Sequence, residues 1–353
     1  MNTLAQFGWT NEHQAKWDAL QLGDMQPARV IADFGTSLKL ATPEILSAEL
    51  SGKLAHYSHR DNTPKVGDWV AVRILDNSAV VESVVLRTNE IARKVAGKRT
   101  FKQIFAANVD IAFVLLALDN DFSVERLKRF LFQLSVNAIE TVIVLNKADK
   151  TNDLDSYLAQ LEGFDVPIIT TVATDDSNVD ALTERIKPGH TAILLGSSGV
   201  GKSTLTNKLL GRDAQRTGEI RESDSTGKHT TVHRELFILP NGCILIDTPG
   251  IRELQLWGTE DDLAANFDDI IQLTHQCKYT NCRHEKEKGC AIHKALSNNR
   301  LDKNHYANYL KMKSEVTALG AKSTERARLN NGRTRKNDTK HGKAELKRLL
   351  DEE

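Results

Sequence analysis

Residues 191–204 have the sequence TAILLGSSGVGKST, which runs from an apolar strand through Gly196-x4-Gly201-Lys202-Ser203 into the start of a helix. Glycines let backbone N–H groups point at phosphate oxygens, and the N-terminus of the following helix adds positive potential there. We expect Lys202 to neutralise the β- and γ-phosphates and the Ser203 hydroxyl to bind Mg²⁺. The stretch therefore predicts a nucleotide phosphate loop. Its predicted nucleotide-binding residues are Gly196, Ser197, Ser198, Gly199, Val200, Gly201, Lys202, Ser203 and Thr204.

From Val109 onwards, the sequence around this loop alternates apolar strand-like runs with helical segments. Strands are predicted at 109–118, 141–145, 167–171, 191–195, 235–239 and 243–247, and helices at 122–136, 154–162, near 178–186 and from Lys202. Strands that alternate with helices favour a mainly parallel sheet covered on both faces. The phosphate loop is therefore expected in an α/β core.

A second phosphate-side element follows the loop, in the sequence CILIDTPG at 243–250. Asp247, at the end of an apolar strand, is predicted to hold Mg²⁺, and the Gly250 N–H is predicted to meet the γ-phosphate. The polar segment at 216–236 has few apolar anchors and suits a switch loop ordered by γ-phosphate and Mg²⁺. Either Thr230 or Thr231 would bring a hydroxyl to the metal, and we favour Thr231.

The choice of base is predicted from Asn146-Lys147-Ala148-Asp149, directly after the strand TVIVL. The Asp149 carboxylate can accept hydrogen bonds from the N1–H and 2-amino group of guanine, whereas adenine would leave it unpaired. Asn146 is expected to contact the base and tether loops, and the stem of Lys147 to cover the ring. The four residues, including Ala148, therefore predict GTP rather than ATP.

The motif order is unusual, because Asn146-Lys147-Ala148-Asp149 precedes the phosphate loop instead of following it. A circular permutation explains this order, since the same strands can pair when the chain is cut and joined at surface loops. The fifth motif, normally Ser-Ala, aligns with Val172-Ala173. This departure leaves the base contacts of that loop undefined.

The N-terminal part has a different pattern of predicted secondary structure. Residues 1–23 predict a polar helical lead-in, and five short β-type runs follow: ARVIADF, SLKLAT, SAELSGKL, GDWVAVRI and SAVVESVVL. Five strands in so short a stretch favour a small closed barrel of the OB type, with an SH3-like barrel as the alternative.

A cysteine and histidine cluster lies in the mostly helical C-terminal part. Cys277, Cys282, His284 and Cys290 offer three thiolates and one imidazole, the ligand set of a closed, structural zinc site. His275 and His293 flank the cluster and are alternatives to His284. Cys243 lies in an apolar run and is interpreted as a core residue.

The chain has 353 residues with 40% hydrophobic and 27% charged residues, which indicates two or three globular domains. A formal net charge of zero excludes a globally basic nucleic-acid coat. No leader sequence or long apolar run is evident, so we expect a cytoplasmic monomer without a membrane partner. The predicted domains are the lead-in at 1–23, the barrel at 24–92, the GTPase at 93–262, the zinc module at 263–320 and a basic tail at 321–353.

Two basic segments suit an RNA backbone, although solvated charge on a linker and a tail is the alternative. One is the tail, and the other consists of Arg87, Arg93, Lys94, Lys98, Arg99 and Lys102.

The sequence closely resembles the RsgA/YjeQ family of ribosome-small-subunit-dependent GTPases. The matching stretches are GDWV at 67–70, AANVD at 106–110, NKAD at 146–149, GSSGVGKST at 196–204, GKHTT at 227–231, DTPGIREL at 247–254 and CKYTNCRHEKEKGCAI at 277–292. The resemblance implies an OB-fold, a permuted GTPase and a zinc module. It also implies binding to 16S rRNA and a role in late maturation of the 30S subunit, with hydrolysis stimulated by that subunit.

The expected reaction is hydrolysis of GTP to GDP and phosphate, with Lys202 and Thr231 stabilising charge. Ile251 stands where Ras-like enzymes carry a water-orienting glutamine, so the isolated enzyme should be slow. His229 in the switch segment is a candidate for the group that completes the site. A scaffold that binds GTP without turnover is the main alternative, and a small-molecule kinase is disfavoured by the guanine motif.

Overall fold

A computed structural model describes residues 4–57, 63–94, 102–175, 178–211, 234–247, 259–285 and 287–318. The described residues fall into two compact units, one that contains those up to 247 and another that contains those from 259 onwards. The first unit contains both the predicted barrel and the predicted α/β core, and the second contains the cysteine and histidine cluster.

The N-terminal strands form a closed barrel. They are β1 (Gln26–Asp33), β2 (Leu38–Ala41), β3 (Ile45–Leu50), β4 (Trp69–Ile74) and β5 (Ser78–Leu86). They pair in the order β1-β2-β3-β5-β4, and β4 pairs again with β1 to close the ring. The β3–β5 pair is parallel and the other pairs are antiparallel. This topology confirms the OB-type barrel, whose closure removes exposed strand edges.

One of the five predicted barrel strands is partly wrong. The run SAELSGKL was expected to be extended to Leu54, but β3 ends at Leu50 and helix α2 spans Gly52–Tyr57. Ser51 begins this helix because its side chain accepts a hydrogen bond from the Leu54 N–H at 3.3 Å. A serine cap thus overrides the alternating pattern of the preceding strand.

The lead-in packs against the barrel. A 3-10 helix spans Leu4–Phe7, and α1 spans Asn11–Ala19 with Thr10 as its N-cap. The ring of Trp9 meets the buried ring of Trp69 edge-on, with 4.7 Å between centroids. An aromatic contact therefore fixes the path by which the chain enters the barrel.

The α/β core contains six strands: β8 (Ile111–Ala117), β9 (Glu140–Asn146), β10 (Ile168–Thr171), β11 (Thr191–Gly196), β12 (Arg234–Ile238) and β13 (Ile244–Asp247). Their spatial order is β10-β9-β8-β11-β13-β12, and all pairs are parallel except the one between β12 and β13. Both faces carry apolar core, and the helices are α3 (Val124–Ser135), α4 (Leu154–Ala159), α5 (Asp180–Thr183) and α6 (Lys202–Leu210). The alternation of strands and helices predicted this layered sheet correctly.

A hairpin that the sequence did not predict precedes the core. Its strands are β6 (Glu90–Lys94) and β7 (Lys102–Ala107), which pair antiparallel. The barrel and the core are also joined directly, because β1 pairs with β12 at Ala32↔Glu235 and Asp33↔Arg234. Among the described residues, barrel and core thus share one eleven-stranded sheet.

The side chain of Arg29 lies at the junction of these parts and is 2% exposed. Its guanidinium donates to three carbonyl oxygens, those of Phe7, Gly67 (3.3 Å) and Asn108 (3.3 Å), and to Thr191 Oγ1 at 2.8 Å. Burial lowers its pKa to about 10, against the opposing charges of Asp110 and Asp68. One cation therefore connects the lead-in, the barrel, the end of the hairpin and the first residue of β11.

The second unit is helical. It contains α7 (Glu260–Asn266), α8 (Asp268–His275), α9 (Ala291–Ser297) and α10 at 303–318. Phe267, between α7 and α8, packs its ring against Tyr309 of α10 with 5.4 Å between centroids. Across the described residues, no helix is both long and apolar enough to cross a membrane.

Arg29→Met tests the junction, because methionine fills a similar length but cannot donate to the four acceptors. We expect the free energy of unfolding to fall by about 2–4 kcal/mol, as buried oxygens lose their donor. Urea unfolding followed by circular dichroism measures the change. The control is Arg73→Met, whose exposed side chain pairs with Glu82 and should change stability by less than about 0.5 kcal/mol. Equal stability of Arg29→Met and the wild-type protein would contradict the role of the junction.

Candidate nucleotide site and metal centre

The phosphate loop, residues 196–204, links β11 to α6, and its glycines are required by backbone geometry. Gly196, Gly199 and Gly201 have φ values of 149°, 79° and 102°. A Cβ at Gly196 would lie 2.7 Å from the Leu115 carbonyl oxygen, and one at Gly201 would lie 2.2 Å from Asn146 Nδ2. Only glycine permits both the left-handed conformation and these close approaches. The loop is therefore built to present its backbone N–H groups.

Lys202 begins α6 and is only 9% exposed. Its ammonium group donates to the carbonyl oxygens of Gly196 at 2.8 Å and Ser197 at 2.5 Å, and so folds back over the phosphate loop. Burial lowers the pKa of Lys202 to about 8, although the charges of Asp247 and Asp121 act in the opposite direction. An anion at this loop would favour the charged form of this lysine and raise its pKa again.

Asn146, at the end of β9, ties three loops together. Its Nδ2 donates to the Val200 carbonyl oxygen at 2.8 Å, inside the phosphate loop. Its Oδ1 accepts from Thr171 Oγ1 at 3.1 Å and from the Ala173 N–H at 3.2 Å. The side chain is 1% exposed, so these bonds are sheltered from water. The predicted guanine motif, the phosphate loop and the loop after β10 thus meet at one amide.

The remaining residues of the base loop, which we define as 146–149, sit in a short turn. Lys147 has φ of 61°, and its Nζ lies 2.7 Å from Asp119 Oδ2. Ala148 packs against the apolar core, and the partly exposed Asp149 carboxylate lies 3.3 Å from Lys150 Nζ. The base loop and phosphate loop therefore lie at the same edge of the sheet.

Sequence reasoning missed Asp119 and Asp121, which follow β8. Asp119 pairs with Lys147, and Asp121 accepts a hydrogen bond from the hydroxyl of Ser197 in the phosphate loop. Because β8 lies between β9 and β11, its following loop must lie between the two recognition loops. The acidic LDND sequence after an apolar strand was the available signal.

Only some of the residues predicted to bind Mg²⁺ and the γ-phosphate are among the described residues. Asp247 ends β13 and is 3% exposed, next to β11, which carries the phosphate loop. Ser203 lies in the first turn of α6 and is partly exposed. Outside the described residues lie Thr230, Thr231, His229, Gly250 and Ile251.

The predicted metal ligands Cys277, Cys282, His284 and Cys290 come together in the second unit. Their ligand atoms all lie within 4.8 Å of one another. His284 Nδ1 is 3.5 Å from Cys277 Sγ and 3.6 Å from Cys290 Sγ. A tetrahedral zinc with ordinary bond lengths would separate a nitrogen and a sulfur ligand by about 3.6 Å. The cluster therefore has donors and spacing that fit zinc.

The surroundings of the cluster support metal binding. The Ala291 N–H lies 3.3 Å from Cys277 Sγ, where it would stabilise a thiolate. Burial lowers the pKa of His284, which favours the neutral imidazole that binds metal. His275 and His293 are exposed and stand outside the cluster, so His284 is the histidine that the fold brings to the cysteines.

The expected basic segment needs a correction at Arg87. Its guanidinium is 16% exposed and pairs with Asp68, from Nε to Oδ1 at 2.8 Å, and with Glu90 at 3.1 Å. Burial lowers the pKa of Arg87, but the hydrogen bonds and the negative charge of Asp68 have the larger combined effect, so the pKa is raised. Because Arg87 donates to the buried Asp68 and to the partly buried Glu90, little of its guanidinium is exposed to an RNA partner. Arg93, Lys94 and Lys102 lie on the β6–β7 hairpin, whereas Lys98 and Arg99 fall outside the described residues.

The sequence of this chain is similar to those of known proteins. Residues 84–257 match the family model of the RsgA GTPase. The chain is 38% identical over 343 residues to the small ribosomal subunit biogenesis GTPase RsgA of Xanthomonas oryzae pv. oryzae (strain MAFF 311018), and the match covers 93% of each chain. The protein of the same name from Syntrophotalea carbinolica is 35% identical over 352 residues, covering 96% of this chain and 97% of the relative.

Two solved structures are similar to the structure of this chain. YjeQ from Thermotoga maritima superimposes with a TM-score of 0.58 at 25% identity, over 83% of this chain and 99% of the other. YloQ, described as a circularly permuted GTPase, has the same fold, with a TM-score of 0.54, 24% identity and coverage of 83% and 96%. Both likenesses cover most of this chain and nearly all of the solved structure. The chain therefore belongs to the RsgA GTPase family.

Proposed function

We propose that this protein hydrolyses GTP during late maturation of the 30S ribosomal subunit, and that the bound nucleotide gates its binding to and release from 16S rRNA. The observation that carries the GTPase assignment is the triple tether of Asn146, which joins the guanine motif to the phosphate loop and to Ala173. The ribosomal part is supported by relatives named small ribosomal subunit biogenesis GTPase. In this proposal the ligands are GTP and GDP, the partner is the small ribosomal subunit, and the protein acts as a cytoplasmic monomer.

The phosphates would be held by backbone N–H groups of residues 196–204 and by Lys202. The φ values and close approaches of the glycines support this role for the loop. Ser203, Thr231 and Asp247 are the proposed ligands of Mg²⁺, and the Gly250 N–H is the proposed contact to the γ-phosphate. The ion would neutralise charge on the phosphates, which is the chemistry that this class of site needs.

The guanine base would be selected by Asp149, with the stem of Lys147 covering the ring and Asn146 fixing the loops. The partial exposure of Asp149 leaves its carboxylate accessible to an incoming base. A base that could not donate two hydrogen bonds would leave this carboxylate without partners.

Hydrolysis would proceed by positioning and electrostatics, without a covalent step on the protein. Lys202 and Thr231 would stabilise the charge that develops. His229 is the proposed group that orients water, because the side chain of Ile251 has no polar atom. An incomplete site of this kind makes hydrolysis depend on the 30S subunit. Turnover and nucleotide state would then be coupled to the ribosomal partner.

The second unit would bind one Zn²⁺ per chain through Cys277, Cys282, His284 and Cys290. Four protein ligands leave no open position for water, so the ion would stabilise the fold. The sulfur–nitrogen spacing of 3.5 and 3.6 Å supports this assignment.

Phosphate release with and without 30S subunits tests the enzymatic function. We expect slow release alone and at least about a tenfold increase with 30S subunits, equivalent to about 1.4 kcal/mol of barrier. Lys202→Ala should lower the stimulated rate by roughly a hundredfold, because it removes a cation from the developing charge. The control is Lys187→Ala, on an exposed lysine in the turn before β11.

Mature 50S subunits serve as the negative partner in the same assay. Affinity for 30S subunits should also be higher with a non-hydrolysable GTP analogue than with GDP. No phosphate release under any condition would favour the GTP-binding scaffold and overturn the enzymatic proposal. Equal affinity for 30S subunits in both nucleotide states would remove the gating.

Asp149→Asn tests base selection. The amide can donate to the 2-oxo group of xanthine, so preference should move from GTP towards xanthosine triphosphate. We expect GTP affinity to fall at least about a hundredfold, or about 2.7 kcal/mol. Nucleotide titration measures both affinities, with Asp155→Asn on the exposed face of α4 as the control. Unchanged preference would remove Asp149 from base recognition.

Cys282→Ser tests the metal centre. The variant should lose most of the zinc, which elemental analysis should find at about one ion per wild-type chain, and amides near 270–295 should lose protection from hydrogen exchange. GTP affinity should stay close to that of the wild type, because the phosphate loop lies in the other unit. His293→Ala, next to the cluster but outside it, should retain the zinc. A metal-free wild-type protein with normal protection would contradict the site.

A further inference from the structure

The loop after β8, residues 118–123, connects to both nucleotide-recognition loops. The Leu118 N–H donates to the Asn146 carbonyl oxygen at 2.9 Å, which aligns this loop with the end of β9. Asp119 Oδ2 then receives Lys147 Nζ at 2.7 Å, and Asp121 Oδ2 receives the Ser197 hydroxyl. One short segment therefore contacts the base loop through one carboxylate and the phosphate loop through another.

Both carboxylates are held by bonds within the loop or from the helix that follows it. Asp119 Oδ1 accepts the Asp121 N–H at 2.9 Å, which forms an Asx turn. Asp121 receives Arg126 in a bidentate pair, with distances of 2.8 and 2.9 Å. These bonds orient each carboxylate before any ligand arrives, so their outward contacts are preorganised.

The loop itself is anchored at both sides. Ser123 caps α3 by accepting the Arg126 N–H at 3.2 Å, and the ring of Phe122 meets the ring of Tyr157 in α4 edge-on, with 4.8 Å between centroids. A carboxylate on an anchored loop can restrain a partner on a neighbouring loop.

The restrained groups are those that a nucleotide would meet. Lys147 carries the stem assigned to the base ring, and it is held in a left-handed backbone conformation with φ of 61°. Ser197 follows Gly196 directly, and its carbonyl oxygen contacts the Lys202 ammonium group. Both contacts therefore set the shape of the loops around the bound nucleotide.

We propose that Asp119 and Asp121 are positioning residues of the GTP site, which hold Lys147 and Ser197 in the arrangement that the nucleotide requires. The proposal rests on the proposed binding of GTP. It predicts the opposite effect on nucleotide affinity from charge repulsion alone. Asp121 adds negative charge beside a phosphate site, so repulsion alone would make its removal tighten binding. A positioning role makes the removal of Asp121 weaken binding.

Two double-mutant cycles test the proposal on the full-length protein, with the dissociation rate of fluorescently labelled GDP as the readout. One cycle pairs Asp119→Ala with Lys147→Ala, and the other pairs Asp121→Ala with Ser197→Ala. Asp119→Ala, Asp121→Ala and Ser197→Ala should each raise the rate roughly two- to fivefold, the effect of losing one contact, and Lys147→Ala should raise it more because it also removes the stem that covers the base. Within a cycle, the double variant should match the larger single effect, because both changes remove the same contact.

The control is Asp165→Ala, an exposed aspartate before β10, which should leave the rate unchanged. Ser197→Ala also keeps the Asp121–Arg126 pair, so it tests the contact even where Asp121→Ala folds poorly. Joint replacement of Asp119 and Asp121 should multiply the two single effects, because each acts on a different loop.

Multiplicative effects within a cycle, slower dissociation from Asp121→Ala, or rates equal to the control would overturn the positioning role while leaving GTP binding intact. A lowered unfolding midpoint with an unchanged rate would assign the carboxylates to fold stability and overturn it as well. If the wild-type protein binds no labelled GDP, the proposed function itself fails and this inference fails with it.

Discussion

The buried guanidinium of Arg29 is the interaction on which the first unit depends. It lies where four segments of the chain meet, and each segment contributes an oxygen that accepts a hydrogen bond from Arg29. An arginine suits this position because its five N–H groups point in fixed, divergent directions while its stem crosses apolar surface. The ring of Trp69 covers the same guanidinium, with 5.0 Å between the ring centroid and Cζ. The cation is therefore compensated by oxygens and by an aromatic face, without a direct carboxylate contact.

This junction affects the nucleotide site through one strand. Thr191, the hydrogen-bond partner of Arg29, begins β11, and Gly196 at the other end of β11 begins the phosphate loop. All six residues of β11 are buried between β8 and β13, so the strand is held along its whole length. The barrel and the strand that carries the phosphate loop are consequently parts of one continuous sheet.

The loops of the nucleotide site are placed by the order of the strands in the sheet, and the order of these strands along the chain does not affect this placement. The base loop follows β9, the phosphate loop follows β11, and the loop that bridges them follows β8, which lies between the two. The carboxyl ends of parallel strands share one edge, so loops far apart in sequence converge there. The cysteine and histidine cluster is built differently, because its four residues lie within the short segment 277–290. The residues of the candidate nucleotide site come from loops that the sheet brings together.

The sequence by itself determined the local chemistry of this protein. Glycine spacing around Lys202, the Asn146–Asp149 motif and the cysteine spacing are all short-range patterns, and each predicted the type of site because backbone conformation and ligand chemistry act over a few residues. Strand and helix alternation likewise predicted the α/β core, and five short β-type runs predicted the OB-type barrel. Only the tertiary structure decided that Arg87 pairs with the buried Asp68, that residues after Leu50 form a helix, and that Asp119 and Asp121 contact the recognition loops. The physical reason is that a sequence does not distinguish a charged side chain that faces solvent from one that pairs with a buried partner. That partner is brought close by strands that are far apart in the chain but pair in the sheet.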